Sequence, residues 1–265
     1  SFLIIIAGSI ATILLDVDKV MLGHYIDIKQ IAYYNVAIFI ATVIAVPQRS
    51  MHQILLPLSA KYLNEKDFDA LEDLYKKSSL NLFIVGGFIF LLIVLNINQL
   101  YYIIPEEFSG GLLVVFMISI AKLYDNALGS NNAILFNSDY YRVVLVLGVF
   151  LVILMILLNI VFIPVLGING AGIATFLAIF TYNSIKLFFV YKKFRMFPFT
   201  SATLRIALLL LSSVLVFYFW EFPFHPIINI GLKSLLVAVI YVFVVYQFNF
   251  SEDISLLIKK YLKLK

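Results

Sequence analysis

The sequence of 265 residues contains no cysteine, three histidines and few charged side chains. The absence of cysteine excludes disulfide bonds, thiolate metal sites and cysteine nucleophiles within these residues. The three histidines are scattered and too few for a histidine metal cluster. Charged residues make up 13% of the sequence, whereas about a quarter is ordinary for a globular domain. A water-soluble globular protein is therefore a poor match to this composition.

Apolar residues, in contrast, make up 63% of the sequence, and the mean hydropathy is +1.04. A helix needs about 20 apolar residues to cross a bilayer, and lipid offers no partner to exposed backbone groups. The sequence therefore predicts an all-α, polytopic membrane helical bundle with about eight transmembrane helices. The predicted spans are residues 2–24, 31–56, 79–103, 111–135, 143–164, 170–191, 204–220 and 227–247.

The basic residues concentrate in every second loop. Residues 61–78, Arg142, residues 192–205 and residues 259–265 carry most of the lysines and arginines, and the alternate loops are mainly acidic. The positive-inside rule places the basic loops in the cytoplasm. The first span is then expected to run from inside to outside, and the C-terminus is expected to be cytoplasmic.

Two segments are amphipathic rather than apolar throughout. One is residues 64–75, and the other is the tail, where Ser251 is a plausible N-cap before Glu252 and Asp253. We expect both segments to lie along the cytoplasmic membrane surface. A solvated or frayed tail is the alternative for the second segment.

The fourth span carries a polar stripe at helical spacing. Its members are Ser119, Lys122, Asp125, Asn126, Gly129 and Asn132. Residues three and four apart share one helix face, and lipid cannot solvate such a face. The stripe is expected to line a water-filled cavity or to pack against polar groups of another helix. Lys122, Asp125, Asn126 and Asn132 are therefore candidates for a substrate path.

The first two spans supply three further candidates. Asp16 and Lys19 share a face of the first span, where they either face a cavity or form a local ion pair near the interface. Arg49 follows Pro47 at a predicted helix break, and it either reaches an anion in the cavity or extends to the cytoplasmic interface. Lys186, near the end of the sixth span, is expected to extend to the interface in the same way.

The last two spans contain few polar residues, and both are expected to be lipid-facing additions. Their polar residues are Ser212, Ser213, Asn229, Lys233 and Ser234. Paired glycines at Gly86 and Gly87 indicate close helix packing.

No motif indicates an enzyme. The sequence has no phosphate-binding loop with Lys-Ser/Thr, no H-E-x-x-H and no G-x-S-x-G. We therefore expect no catalytic residues, no cofactor, no metal site and no nucleic-acid partner. The sequence opens on an apolar run without Met or a basic flank, which we interpret as a cut through a longer protein.

Three segments together carry a resemblance to a known family. Residues 18–23 (DKVMLG) precede a helix that begins with residues 31–37 (IAYYNVA), and residues 159–175 combine a helix end, a proline, a glycine turn and a small-residue helix start. This combination resembles the polysaccharide flippases of the multidrug/oligosaccharidyl-lipid/polysaccharide exporter superfamily, such as O-antigen (Wzx-type) flippases. The first two segments resemble the start of the second six-helix half of these proteins, and the third resembles its last hairpin.

The resemblance implies that the chain is about half of a two-lobed, MATE-like transporter. Residues 1–191 would form the second six-helix lobe, residues 192–248 two additional transmembrane helices, and residues 249–265 a cytoplasmic amphipathic tail. The expected partners are the bilayer, a polyprenyl-diphosphate oligosaccharide and the missing N-terminal lobe of the same chain. The implied location is the cytoplasmic (inner) membrane of a bacterium.

The implied activity is the flipping of a polyprenyl-diphosphate-linked oligosaccharide by alternating access, with H⁺ or Na⁺ as the coupling ion. In that case Lys122, Arg49 and Lys19 would attract the diphosphate, and Asp125 or Asp16 would bind the ion.

Three alternatives are considered. A MATE-type multidrug or cation antiporter would favour acidic residues in the cavity. A membrane glycosyltransferase or polymerase would need a large external catalytic loop, but the predicted external loops are shorter than about ten residues. A membrane scaffold would not need the polar stripe.

Overall fold

A computed structural model describes residues 17–262 of the chain, and helices with short connections make up that part. The helices are α1 (described over 17–25), α2 (Ile28–Thr42), α3 (Val46–Glu65), α4 (Phe68–Tyr101), α5 (Leu112–Ala127), α6 (Asn131–Asn137), α7 (Tyr141–Leu166), α8 (Ile168–Phe194), α9 (Ser201–Phe217), α10 (Pro226–Gln247) and α11 (Glu252–Leu262). Short 3₁₀ turns occupy Val43–Ala45 and Glu106–Gly111.

Six helical segments of the described part are long and apolar enough to cross a membrane. They are Ile28–Glu65, Phe68–Tyr101, Glu106–Ala127, Tyr141–Leu166, Ile168–Phe194 and Pro226–Gln247. The all-α, multi-pass membrane bundle is thereby confirmed. The apolar helix α9 is shorter, at 17 residues, and the predicted first span, residues 2–24, lies mostly outside the described residues.

The helix predicted at 31–56 is interrupted by a 3₁₀ turn next to Pro47, whereas Pro57 lies inside α3 and does not interrupt it. A 3₁₀ turn at Val43–Ala45 separates α2 from α3, and Pro47 lies in the first turn of α3. Proline has no N–H to donate and its ring crowds the preceding turn, so it is favoured near a helix start and disfavoured inside. The predicted break near Pro47 is confirmed.

The helix predicted at 111–135 is not continuous, in contrast to our expectation. It breaks between α5 and α6 at Gly129, whose φ is +53°. Two serines of α4 bind the backbone at this point: Ser79 Oγ donates to the Ala127 carbonyl at 2.5 Å, and Ser78 Oγ accepts from the Ser130 N–H at 3.0 Å. The polar stripe is therefore divided between two helices.

Residues 64–75 are expected from the sequence to form a segment along the membrane surface. In the structure they do not form a separate helix. The chain turns at Lys66, which has a positive φ of 57°. Asp67 then caps α4 by accepting a hydrogen bond from the Ala70 N–H at 3.0 Å. The apolar face of the segment, with Leu71 and Tyr75 fully buried, continues directly into the 34-residue helix α4. The predicted cap of the tail helix is confirmed, because Ser251 Oγ accepts from the Ile254 N–H at 3.4 Å.

The described part of the bundle has several apolar cores, and two of them contain residues from the two sides of the helix interruptions. The α2–α5 core contains buried residues of both of its helices, including Tyr34, Ala37 and Val114. The α3–α6 core lies toward the basic loops and contains Ile134 and Leu135 of α6, against which residues of α3 pack. Helices α4 and α8 are continuous and contribute to both cores.

Helices α9 and α10 pack against α4, and the expectation that they are simply lipid-facing is only partly right. Lys233 is 1% exposed, and its Nζ lies 3.3 Å from Oε1 of Glu221. Ser234 Oγ accepts a hydrogen bond from Asn96 of α4 at 3.1 Å. The opposite face of α10, with Leu235 and Val239, is exposed. A buried ammonium needs a polar partner, which explains why the polar face of α10 is turned inward.

The break at Gly129 generates a stability prediction. A Cβ at Gly129 would lie 2.4 Å from the backbone nitrogen of Ser79, and the positive φ is unfavourable for alanine. We expect Gly129→Ala to lower the free energy of unfolding by about 1–3 kcal/mol, measured as a lower melting temperature in detergent. Gly231→Ala is the control, because no neighbouring heavy atom lies within 4 Å of its Cβ position. Equal melting temperatures for the two variants would contradict the assigned role of Gly129.

Candidate functional site: a polar cavity within the bundle

A cavity of about 260 Å³ lies between α1, α2, α5, α6, α7 and α8. Much of its wall is apolar, with Ile118, Leu151 and Met155 as examples. Two carboxylates and two ammonium groups line it, those of Asp18, Asp125, Lys122 and Lys186. The cavity therefore places charged groups inside a bundle whose outer surface is largely apolar.

The residues of the predicted stripe separate into two groups. Lys122 and Asp125 of α5 and Asn132 of α6 line the cavity. Asn126 instead points between helices, where its Nδ2 donates to the Ile44 carbonyl at 2.8 Å. It packs so closely on Gly86 that a Cβ there would lie 2.1 Å from Asn126 Nδ2. Asn126 thus connects helices, and Gly86 makes the close packing that its sequence pattern indicated.

Lys186 is the most deeply buried cation that lines the cavity, with 1% of its surface exposed. Its Nζ donates to Oδ1 of Asn132 at 2.7 Å and lies 4.1 Å from the ring centroid of Tyr182. The expectation that Lys186 extends to the membrane interface is therefore wrong. Its ammonium group lies inside the bundle, and helix α8 continues about two turns further, to Phe194.

The charge of Lys186 has only neutral groups as close partners. No carboxylate of the described residues lies within 4.0 Å of its Nζ. Asp125 lines the same cavity and attracts Lys186 at longer range, while its Oδ1 accepts a hydrogen bond from Asn183 at 3.1 Å. Charge-assisted hydrogen bonds to an anion are stronger than those to a neutral amide. Lys186 is therefore suited to bind an anionic group that enters the cavity.

Asp18 is the centre of a second cluster in the same cavity. Its side chain is 5% exposed, and its Oδ2 accepts hydrogen bonds from Thr175 Oγ1 at 2.6 Å and Tyr34 Oη at 2.8 Å. Its Oδ1 accepts from Asn159 Nδ2 at 2.7 Å. The four side chains come from α1, α2, α7 and α8, so this carboxylate joins four helices.

The Asp18 cluster offers oxygen atoms to a small cation. Its carboxylate and the hydroxyls of Thr175 and Tyr34 are hard donors of the kind that alkali and alkaline-earth cations prefer. Oδ1 of Asn159 is buried without a hydrogen-bond partner. The single negative charge of the Asp18 carboxylate is neutralised by one monovalent cation or by one proton. The described residues contain no group of three or more His, Cys, Asp or Glu that could hold a metal ion.

The remaining sequence-predicted residues lie outside the cavity lining or outside the described part. Lys19 is partly buried next to Asp18 on α1, and it attracts the Asp18 carboxylate. Arg49 is exposed on α3. Neither is among the described residues that line the cavity. Asp16 lies outside the described residues.

Sequence reasoning missed the Asp18 cluster and the buried position of Lys186. Asp18, Asn159 and Thr175 are each a polar residue in or next to an apolar span, which was the available signal. Their hydrogen bonds connect residues 141 and 157 positions apart. One sequence does not reveal such pairings, because they depend on how the helices pack.

Comparisons with known proteins give no relative for this chain. No protein-family model matches it, and neither a curated protein nor a solved structure matches it significantly. The cavity is therefore the main basis for a functional proposal.

The geometry at Asp18 generates a binding prediction. We expect a cation that binds at Asp18 to raise the melting temperature of the detergent-solubilised protein, because a ligand that binds only the folded state stabilises it. The measurement compares NaCl with choline chloride at two pH values. Asp18→Asn keeps the side-chain shape and removes the charge, so it is expected to abolish the ion-induced shift.

Asp125→Asn is the matched control, and it should retain that shift. If the melting temperature of the wild type is higher in NaCl than in choline chloride at constant pH, the bound ion is sodium. If the melting temperature changes only with pH, the bound ion is a proton. An equal shift in Asp18→Asn and wild type would contradict the assignment of the ion to Asp18.

Proposed function

We propose that this chain is part of a transporter that flips a polyprenyl-diphosphate-linked oligosaccharide across the membrane by alternating access. The observation that carries the proposal is Lys186, a fully buried ammonium in a lipid-embedded bundle that lines a cavity and has a neutral amide as its nearest partner. Burying a charge is costly, so such residues usually face a substrate path or a partner. The segments that resemble polysaccharide flippases support the same class of protein.

The two ammonium groups of the cavity support an anionic head group. Lys122 and Lys186 both line the cavity, and an ammonium is a strong point-charge partner for phosphate oxygens. Asn132 and Asn183, which also line it, have amide groups that can hydrogen-bond to phosphate or sugar hydroxyls. The polyprenyl tail would remain in the bilayer, where it is already solvated.

The Asp18 cluster supports ion coupling. Its buried carboxylate lines the same cavity as the two lysines, and it joins helices that come from four parts of the chain. Binding of H⁺ or Na⁺ would neutralise Asp18 and so alter the hydrogen bonds among these helices. This assigns the coupling ion to Asp18, whereas the sequence alone had suggested Asp125 or Asp16.

A MATE-type multidrug or cation antiporter is the second candidate function. The observation that favours it is the presence of both Asp18 and Asp125 in the cavity, because a carboxylate would attract a cationic drug. The lysines distinguish the two functions, because an ammonium attracts an anionic head group and repels a cationic drug.

Substitution of the cavity lysines tests the choice between these functions. In the complete protein, we expect Lys186→Ala and Lys122→Ala each to reduce complementation of a polysaccharide-export defect by about tenfold or more, the effect of losing one charge-assisted hydrogen bond. The control is Lys192→Ala, an exposed residue at the end of the same helix as Lys186, which should leave export unchanged. Membrane levels of each variant are measured in parallel.

Resistance to a cationic dye is measured with the same variants. Unchanged export in both cavity variants, together with dye resistance that is lost in Asp125→Asn, would contradict the flippase and favour the antiporter.

A further inference from the structure

The membrane-crossing segment Ile28–Glu65 contains a 3₁₀ turn, the segment Glu106–Ala127 is followed by a break at Gly129, and the helices on the two sides of each interruption belong to different cores. Helix α2 packs with α5 in the α2–α5 core, and α3 packs with α6 in the α3–α6 core. The breaks lie between these pairs, at Val43–Ala45 and at Gly129. Helices α4 and α8, in contrast, run unbroken and contribute to both cores.

The two breaks are bonded to each other at one level of the bundle. Asn126 Nδ2 donates to the Ile44 carbonyl at 2.8 Å, and Gln48 Nε2 donates to the Asp125 carbonyl at 3.4 Å. A short 3₁₀ turn inside a longer helical segment often marks a hinge. These bonds would keep the two hinges together while the helix directions beyond them change.

Beyond the breaks, α3 and α6 are tied to each other. Asn137 Nδ2 at the end of α6 donates to the Leu56 carbonyl at 2.8 Å and to Ser59 Oγ at 2.7 Å, both on α3. At the other end of α6, Asn131 Nδ2 donates to Tyr75 Oη of α4 at 2.6 Å. This arrangement fits a pair of helices that pivots next to α4 and moves as one unit.

Helix α8 forms hydrogen bonds to residues on both sides of the second break. Before the break, Asn183 of α8 donates to Asp125 at 3.1 Å. After it, Lys186 of α8 donates to Asn132 of α6 at 2.7 Å. The second bond therefore connects the movable α6 to the unbroken α8, and it lies in the wall of the cavity.

We infer that α3 and α6 form a gate at the basic end of the bundle, and that the hydrogen bond from Lys186 to Asn132 is the latch that holds it closed. An anion in the cavity would compete for Lys186 Nζ, because it accepts a stronger hydrogen bond than a neutral amide does. Asn132 would then be released, and the gate would open. The inference rests on the proposed function only for the nature of this anion.

The test measures a distance across the gate by double electron–electron resonance in the complete protein in lipid nanodiscs. Spin labels are attached to cysteines introduced by Lys61→Cys on α3 and Lys192→Cys on α8, both exposed positions. These 265 residues contain no native cysteine that would also be labelled. Asn132→Ala removes the latch, so we expect the α3–α8 distance to lengthen on the order of 5 Å, about one helical turn. Asn132→Asp would pair with Lys186 as an ion pair, so we expect it to retain the short distance.

A second label pair serves as the control, with Asp69 on α4 and Lys192 on α8. Both helices are unbroken, so this distance should stay the same in every variant, which also shows that each variant is folded. Equal α3–α8 distances in wild type, Asn132→Ala and Asn132→Asp would overturn the latch.

Inorganic pyrophosphate is then added as a separate probe of the anion. Lengthening of the α3–α8 distance in wild type but not in Asn132→Asp supports both the latch and the anionic substrate. A distance that lengthens in Asn132→Ala, stays short in Asn132→Asp and does not respond to pyrophosphate supports the latch and counts against the proposed substrate. A response to pyrophosphate with no response to either variant overturns the latch alone.

Discussion

The cost of burying charge in lipid is the constraint that organises this bundle. Lys186, Lys233 and Asp18 are each at most 5% exposed. Lys186 and Asp18 have polar partners on other helices, and Lys233 has Glu221 in the connection between α9 and α10. A buried charge without such partners would cost several kcal/mol. The helices must therefore pack in the arrangement that brings these partners together, and the polar contacts select one packing among many that would be equally apolar.

The same constraint applies to the backbone at the two helix breaks. Each break frees N–H and C=O groups that lipid cannot bind. Ser78 and Ser79 bind the freed groups near Gly129, and Asn126 binds the Ile44 carbonyl at the other break. Helix α4 lies beside both breaks. Polar residues of α4 that resemble ordinary interruptions of an apolar span thus make irregular backbone tolerable inside the membrane.

The sequence predicted the class of fold and most spans, because a run of about 20 apolar residues is a strong local signal. It also placed Lys122 and Asp125 on one polar face, since their spacing follows the helical period; Asn132 lines the same cavity from a separate helix. It did not predict the break at Gly129, because a single glycine inside an apolar run has several structural meanings. It misplaced Lys186, whose surroundings depend on Asn132 and Tyr182 rather than on its own position in the span.

Helix α8 links the two charged parts of the cavity. Thr175, which binds Asp18, and Lys186 both lie on the face that lines the cavity, about 16 Å apart along the axis at about 1.5 Å per residue. At that separation, a cation at Asp18 and an anion at Lys186 would not compete for the same atoms. A change at either end could still be transmitted through one unbroken helix, because α8 also holds Asp125 through Asn183. An ion site and a substrate site that share a rigid helix without sharing ligands can be coupled through the position of that helix.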